Sequence, residues 1–462
     1  MNLAVVILAA GESRRMKSDL PKVLHPLAGR PMISYSVETA AQLGAGKPVL
    51  VVGHGLEQVR EAVGDAVEYV VQEERLGTGH AVLQARPLLQ GRCDTVLVCY
   101  GDMPLLAVET LRQLTARQAA SGSPVTILTL LARDPRGFGR VVRDAEGRVL
   151  GVVEEADCTA EQLAIGELNA GVYCFEASWL WEHLPRLPLS RQGEYYLTDI
   201  VGLAVAEGVE VATVTTDDEV QCLGINTRLH LAEAEKAMHQ RINRRWMLEG
   251  VTLTDPETTY IDATVEIGQD TVIYPNTHLR GQTCIGRQCR IGPNCVLVDT
   301  VVGDRCQIRL SVAEQARLED DVDIGPFAHL RKGAHLARGV HMGNFGEVKN
   351  SYLGPGVKMG HFSYVGDATV GAEVNIGAGT ITCNYDGVRK QRTVIEEGAF
   401  IGSDTMLVAP VRVGAGAKTG AGSVVTHDVP PGSLVYGVPA RVKRRKEETP
   451  SEAGAGGEAD HG

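Results

Sequence analysis

Over residues 1–226 short apolar runs alternate with amphipathic stretches. AVVILAA, KPVLVVG, VEYVVQ, DTVLVCYGD and SPVTILTLL read as strands, and MISYSVETAAQLGA and VETLRQLTARQAA carry apolar residues at helical spacing. This alternation predicts a mostly parallel, doubly wound α/β sheet, a Rossmann-like domain that holds ligands at the carboxyl ends of its strands. From Thr227 to Glu249 the stripe Leu231, Ala234, Met238, Ile242 and Trp246 predicts one connecting helix stopped at Gly250, with Arg241, Arg244 and Arg245 on its solvated face. Beyond it the period becomes six. Ile267, Ile273, Leu279, Ile285, Ile291 and Leu297 form one row, and Ile395, Ile401, Leu407, Val413, Thr419 and Val425 another. Four residues after most members comes a small side chain, among them Thr271, Thr277, Thr283, Cys289, Cys295, Thr405, Ala417 and Ser423. Such a period fits neither a helix nor a lone strand. It predicts a solenoid of coils, each made of three short flat strands, whose apolar faces are buried only by stacking. The expected organisation is therefore 1–226, a helix at 227–250, a β-helix at 251–442 and a polar, disordered tail at 443–462.

Composition narrows this picture. The net charge is −12, from 57 acidic and 45 basic residues, which speaks against a nucleic-acid binder. The start MNLAVVILAAGES lacks the basic region of a signal peptide, and no apolar run approaches a membrane span, so a cytoplasmic protein without membrane contact is expected. None of the ten cysteines has CxxC spacing, so zinc is not expected. Cys93, Cys99, Cys174 and Cys222 read as thiols in apolar strand-like runs, Cys289, Cys295 and Cys306 as inward residues of the repeat, and Cys383 as a more accessible thiol in the irregular loop TCNYDG.

The first strand ends in Leu8-Ala9-Ala10-Gly11-Glu12-Ser13-Arg14-Arg15-Met16, followed by Pro21-Lys22-Val23-Leu24. Small residues there let backbone N–H groups approach a phosphate, and Arg15 adds charge. The segment resembles the nucleotidyltransferases that join a sugar 1-phosphate to a nucleoside triphosphate, marked by LAAGxGxRM and PKxL, with Ser13 where a second glycine is common. Other segments of that family follow in order. Gln72 precedes Leu76-Gly77-Thr78-Gly79-His80, and the resemblance implies that Gln72, Gly77 and Thr78 read the uracil edge, an amide pairing with the imide by donating and accepting together. In Tyr100-Gly101-Asp102 a strand-end carboxylate suits Mg²⁺, and Gly224-Ile225-Asn226 supplies the second expected metal ligand, Asn226. The resemblance places Gly139, Glu154, Asn169 and Thr198 around N-acetylglucosamine 1-phosphate. It implies uridylyl transfer from UTP with loss of pyrophosphate, Lys22 and Arg15 neutralising charge.

The six-residue repeat resembles the hexapeptide acyltransferases, which form left-handed parallel β-helices and are usually trimers. Lys358 to Asp367 and NIGAGTITCNYDG resemble the bifunctional uridyltransferase/acetyltransferase family in particular. That likeness implies acetyl transfer from acetyl-CoA to glucosamine 1-phosphate. His361 would be general base, with Glu347 to orient its ring and Asn384 to fix the amine or help His361. Arg331, Lys349, Tyr364, Asn375 and Lys390 would hold the sugar phosphate, and Ser403, Ala421, Asn384 and Tyr385 the acetyl-CoA. The family's C-terminal CoA-binding Arg falls at Gly437 here, so Arg441 or Lys443 would take its place. The product would be UDP-N-acetylglucosamine for cell-wall peptidoglycan and lipopolysaccharide. Two alternatives are a single-function nucleotidyltransferase whose β-helix only oligomerises, and a non-catalytic subunit. His361 and the NYDG insertion speak against the first, and Lys22, Asp102 and Asn226 against the second.

Overall fold

The computed structural model describes residues 2–444 apart from 12, 13, 54 and 133. Seven strands run side by side in the first unit, Met1–Met238, in the order Ala212–Thr216, Val125–Leu131, Glu167–Glu176, Thr95–Tyr100, Leu3–Ala9, Val49–Val52, Glu68–Val71. The chain starts in the middle, works out to Glu68–Val71, then crosses back to the other side of the first strand. That reversal sets the carboxyl ends of Leu3–Ala9 and Thr95–Tyr100 next to one another, Leu8 opposite Tyr100. Such a reversal opens a crevice beyond the strand ends. The sheet is parallel except for Glu167–Glu176, which lies antiparallel to both neighbours and pairs with the hairpin Arg140–Arg143 and Val149–Val153.

Alternate side chains of the central strands face opposite layers. Val5, Ile7, Leu97 and Cys99 pack under the helices Met32–Ala41 and Val108–Ser121. Val6, Val96 and Val98 face Thr78–Gln84 and Asp199–Ala206. Cys93 and Cys222 lie outside the strands, unlike the expectation for apolar strand-like runs. The connecting helix runs Arg228–Leu248, with Ala234, Met238, Ile242 and Trp246 buried and Arg241, Arg244 and Arg245 exposed. Gly250 follows it at φ 93°, left-handed backbone that stops a helix.

The described residues of the second unit, His239–Gly462, form three sheets of twelve, ten and nine strands, most of two or three residues and parallel apart from the terminal pair Leu434–Gly437 and Ala440–Arg444. Successive coils stack in register: Ile273 on Ile291, Leu279 on Leu297, Ile285 on Val302. The inward residues are fully buried, and Thr405 Oγ1 meets Thr419 Oγ1 at 2.9 Å inside the coil. The first row ends after Leu297 because the coils there are shorter: Val302 stacks on Leu318, two residues short of three sixes. Cys289, Cys295 and Cys306 fill the small inward positions. Cys383 ends a strand, Ile381–Cys383, rather than lying in the irregular loop; it is half-buried, more accessible than the buried thiols of the repeat as expected, with its thiol pushed up by burial. The last strand, Ala440–Arg444, takes in Lys443 and Arg444, which the sequence assigns to the tail; the rest of that tail, 445–462, lies outside the described residues. No helix among the described residues is long and apolar enough to cross a membrane.

Candidate functional site

Two adjoining cavities open at the strand-end crevice of the first unit. One, of about 490 Å³, is lined by Leu8, Ala9, Ala10, Gly11, Lys22 and Gln72, with Gly77, Thr78, Tyr100 and Asp102. The other, of about 890 Å³, is lined by Arg15, Gly139, Glu154, Asn169, Thr198 and Asn226, and shares Thr78, Tyr100 and Asp102 with the first. Every residue that the sequence assigns to the nucleotide and sugar pockets lines one of the two, except Gly101. Arg75 and Glu194 also line the first cavity and have no signal in the motifs. Gly77 adopts φ 99°, and a Cβ there would lie 2.6 Å from the Tyr195 carbonyl oxygen. Glycine at that position lets two loops close together, with Tyr195 N donating to Leu76 O and Leu197 N to Thr78 Oγ1.

Where the cavities meet, three distant segments converge. Lys22 Nζ donates to Asp102 Oδ2 and, at 2.9 Å, to Asn226 Oδ1, and Arg15 donates to the same Asn226 oxygen at 3.0 Å. Lys22 and Asp102 are largely buried, 14% and 16% exposed. The Ile225 N–H bonds the Asp102 carbonyl at 2.9 Å, which fixes Asn226 beside the carboxylate. A carboxylate oxygen and an amide oxygen thus point at one small cation, here an ammonium. Hard oxygens in that number suit Mg²⁺, which takes one or two protein ligands and fills its octahedron with phosphates and water. Among the described residues no cluster of three or more His, Cys, Asp or Glu could hold a metal.

On the other side of the crevice Thr198 Oγ1 donates to Glu154 Oε1 at 2.9 Å. Burial raises the Glu154 pKa, against the Thr198 hydrogen bond, and the charges of Asp199 and Asp157 add to the rise. Asn169 is buried, donates to Tyr173 OH at 2.7 Å and accepts from Gly171 N. The Gln72 amide does not face the cavity with both a donor and an acceptor. Its nitrogen is committed to Gly77 O at 3.0 Å and to His80 Nδ1 at 3.1 Å.

In the second unit the ten-stranded sheet stacks Glu347 on Tyr364 and Tyr364 on Ile381. Arg331 donates to Glu347 Oε1 at 2.8 Å. The Lys349 ammonium is held below its ordinary pKa by Lys390, within hydrogen-bonding range, and by the charge of Arg331. Three cations thus share one surface, and an anion such as a phosphate would offset their mutual repulsion. Asn384 donates to Tyr364 OH at 3.4 Å and to Asp367 Oδ2 at 2.5 Å, and Asn350 donates to Asp367 Oδ1 at 2.6 Å. Asp367, 8% exposed, therefore organises the cluster; it lies within a motif quoted above but carries no charge-pattern signal of its own. Gly366 leaves room for this arrangement, since a Cβ there would strike the Tyr364 hydroxyl.

His361 lies on the turn between Lys358–Met359 and Ser363–Gly366, exposed and without a hydrogen bond to any described residue. Glu347 makes no hydrogen bond to it, and its Oε1 accepts from Arg331. Asn384 makes none to it either; its amide nitrogen goes to Tyr364 and Asp367. Asn375 pairs with Lys358 in the twelve-stranded sheet, a different face from Lys349. Ser403 and Ala421 occupy adjacent coils, joined by Gly422 N to Ser403 O at 2.8 Å. Tyr385 is exposed and pairs with Lys390 across the inserted loop. Arg441 is exposed in the terminal hairpin, opposite Tyr436, whose ring Lys443 covers.

Residues 5–250 match the MobA-like NTP transferase domain, and residues 264–298 and 392–427 match the bacterial transferase hexapeptide (six repeats) family. The chain is 49% identical over 435 residues to the bifunctional protein GlmU of Trichlorobacter lovleyi, covering 93% of this chain and 95% of that protein. It is 50% identical over 430 residues to the protein of the same name from Heliobacterium modesticaldum, covering 93% and 94%. The Pelobacter propionicus protein is 48% identical over 448 residues, covering 96% and 97%. With a strand-end crevice in a nucleotidyltransferase unit and a left-handed β-helix of hexapeptide repeats bearing a second polar cluster, the chain belongs to the GlmU family of bifunctional uridyltransferases and acetyltransferases.

Proposed function

We propose that the second unit acetylates glucosamine 1-phosphate from acetyl-CoA and that the first joins the product to UMP from UTP, giving UDP-N-acetylglucosamine and pyrophosphate. The observation that carries the uridylyl step is the convergence of Lys22, Arg15, Asp102 and Asn226 where the two cavities meet. A phosphate oxygen of the sugar attacks the α-phosphorus of UTP in line, and the bond to the β-phosphate oxygen breaks. Lys22 and Arg15 bind the phosphate oxygens and offset the charge gathered there, so that positioning and charge carry most of the rate. Asp102 and Asn226 would hold Mg²⁺, which when bound supplies further neutralisation of the phosphates. Glu154, Asn169, Thr198 and Gly139 take the sugar, in the larger cavity.

For the acetyl step, Arg331, Lys349 and Lys390 hold the sugar phosphate, with Tyr364 and Asn384 ordering the sugar. His361 takes a proton from the amine as its nitrogen attacks the thioester carbonyl, and the CoA thiolate leaves. Ser403, Ala421, Tyr385 and Arg441 line the path of CoA. Copies of the chain assemble as trimers through the β-helix, whose flat faces suit closed symmetric packing. Supplying glucosamine 1-phosphate, acetyl-CoA, UTP and Mg²⁺ together tests the scheme. Release of both free CoA and pyrophosphate is expected. Pyrophosphate formed only from pre-acetylated sugar would overturn the acetyl half.

A further inference from the structure

Gln72 lines the smaller cavity and is 4% exposed. Its amide nitrogen carries two hydrogens. One goes to the Gly77 carbonyl and the other faces His80 Nδ1. A ring nitrogen that faces a donor must offer a lone pair, and a neutral imidazole has only one. The other ring nitrogen, Nε2, lies 3.0 Å from the Gln84 amide. Both amides are also held by a backbone carbonyl, Gln84 by His80 O at 3.1 Å and Gln72 by Gly77 O, but Gln84 is partly exposed and can turn to the solvent, whereas Gln72 is enclosed and has no solvent to turn to. The lone pair therefore sits on Nδ1 and the proton on Nε2. With both hydrogens spent, Gln72 has one polar group left, Oε1, which bonds no described residue. It is an acceptor in a cavity that already fits a nucleotide.

We propose that His80 is a positioning residue for base selection, its Nδ1 lone pair locking Gln72 so that only Oε1 meets the base. This rests on the uridylyl reading above and deepens it. A pyrimidine with an imide N–H, such as uracil, donates to Oε1. Cytosine presents a lone pair at the same ring atom and meets an acceptor with an acceptor. Without the His80 lone pair only Gly77 opposes rotation of the amide. Gln72 can then offer a donor to the base, and discrimination falls.

The test measures pyrophosphate release from UTP and from CTP, with N-acetylglucosamine 1-phosphate and Mg²⁺, by the full chain and by His80→Leu and His80→Asn. Leucine removes the lone pair, and asparagine places a carbonyl oxygen at about the position of Nδ1. Loss of one buried hydrogen bond predicts that His80→Leu lowers the UTP-to-CTP ratio of kcat/KM about tenfold. The change should fall on the KM for UTP, with kcat at saturating UTP kept, and His80→Asn should restore most of the ratio. An unchanged ratio in His80→Leu overturns the proposal, as does an equal loss in both variants, which would mean that the ring acts only by packing. A parent chain that releases no pyrophosphate from UTP would sink the uridylyl reading itself, before any variant is made.

Discussion

Asp367 is the residue on which the acetyl-transfer surface most depends, and Asp367→Asn tests that dependence. The backbone there has φ 50°, a conformation that asparagine tolerates, so the change leaves the fold in place. The carboxylate accepts from Asn350 at 2.6 Å and from Asn384 at 2.5 Å. An amide in its place offers one oxygen to two donors. One charged hydrogen bond is lost, at a cost of about 1.5–3 kcal/mol. Asn350 belongs to the stacked coils, whereas Asn384 opens the inserted loop that also carries Lys390, so Asn384 is the partner that yields. An opposing effect is electrostatic: the phosphate no longer faces a negative neighbour. Arg331 and Lys349 are partly exposed on that surface, so solvent screens this gain and leaves it the smaller of the two effects. The net loss of at least about 1 kcal/mol raises the KM for glucosamine 1-phosphate about fivefold or more. The assay is free thiol released from acetyl-CoA as the amino sugar is titrated, with pyrophosphate release from UTP by the same preparation as internal control. A KM within about twofold of the parent, the range of a negligible surface contact, would refute the reasoning.

Three further outcomes follow from the geometry. Asp102→Asn removes the charge that faces Lys22 and is expected to lower uridylyl turnover about 100-fold or more while acetyl transfer is kept; near-parent turnover in saturating Mg²⁺ would count against the metal assignment. His361→Ala should abolish acetyl transfer, read as CoA release, and leave pyrophosphate release from UTP and N-acetylglucosamine 1-phosphate intact; loss of both would indicate a folding defect. Glu154 has a folded pKa above its ordinary 4.5, chiefly through burial, so its contribution to stability is fully present below 4.5 and is lost as pH rises through the folded value. Glu154→Gln, which never ionises, should therefore unfold at a higher denaturant concentration than the parent at pH 7, and the difference should close by about pH 4; a difference that persists there would show that ionisation is not its origin.

The β-helix is legible in the sequence because each inward position repeats the same physical demand. Leu279, Leu297 and their neighbours occupy one stacked environment, and the same kind of side chain solves it in every coil. The crevice of the first unit is legible for another reason: Lys22, Asp102 and Asn226 each follow a short motif, although nothing local says that the three meet. The antiparallel strand Glu167–Glu176 and its hairpin are not legible in that way. They are buried on their apolar side chains yet are broken by Asn169 and Gly171, which the cavity requires, so no clean periodicity survives.

What the pattern hides altogether is the assignment of partners. Glu347 pairs in register with Tyr364 and looks free to orient an imidazole, but Arg331, two residues beyond its partner His329 on the preceding coil, reaches back and donates to Oε1. Asp367 and His80 both lie inside recognisable segments, and both act through an amide, Asn384 or Gln72, that a reader of motifs would credit with the contact. The common cause is that an amide is ambivalent. Its side chain can donate or accept from either end, so its role is set by whichever neighbour removes one choice. A buried carboxylate takes up the donor end of Asn384, and a ring lone pair with a backbone carbonyl takes up that of Gln72. The specificity of both sites thus resides as much in the residues behind the contact as in those that make it.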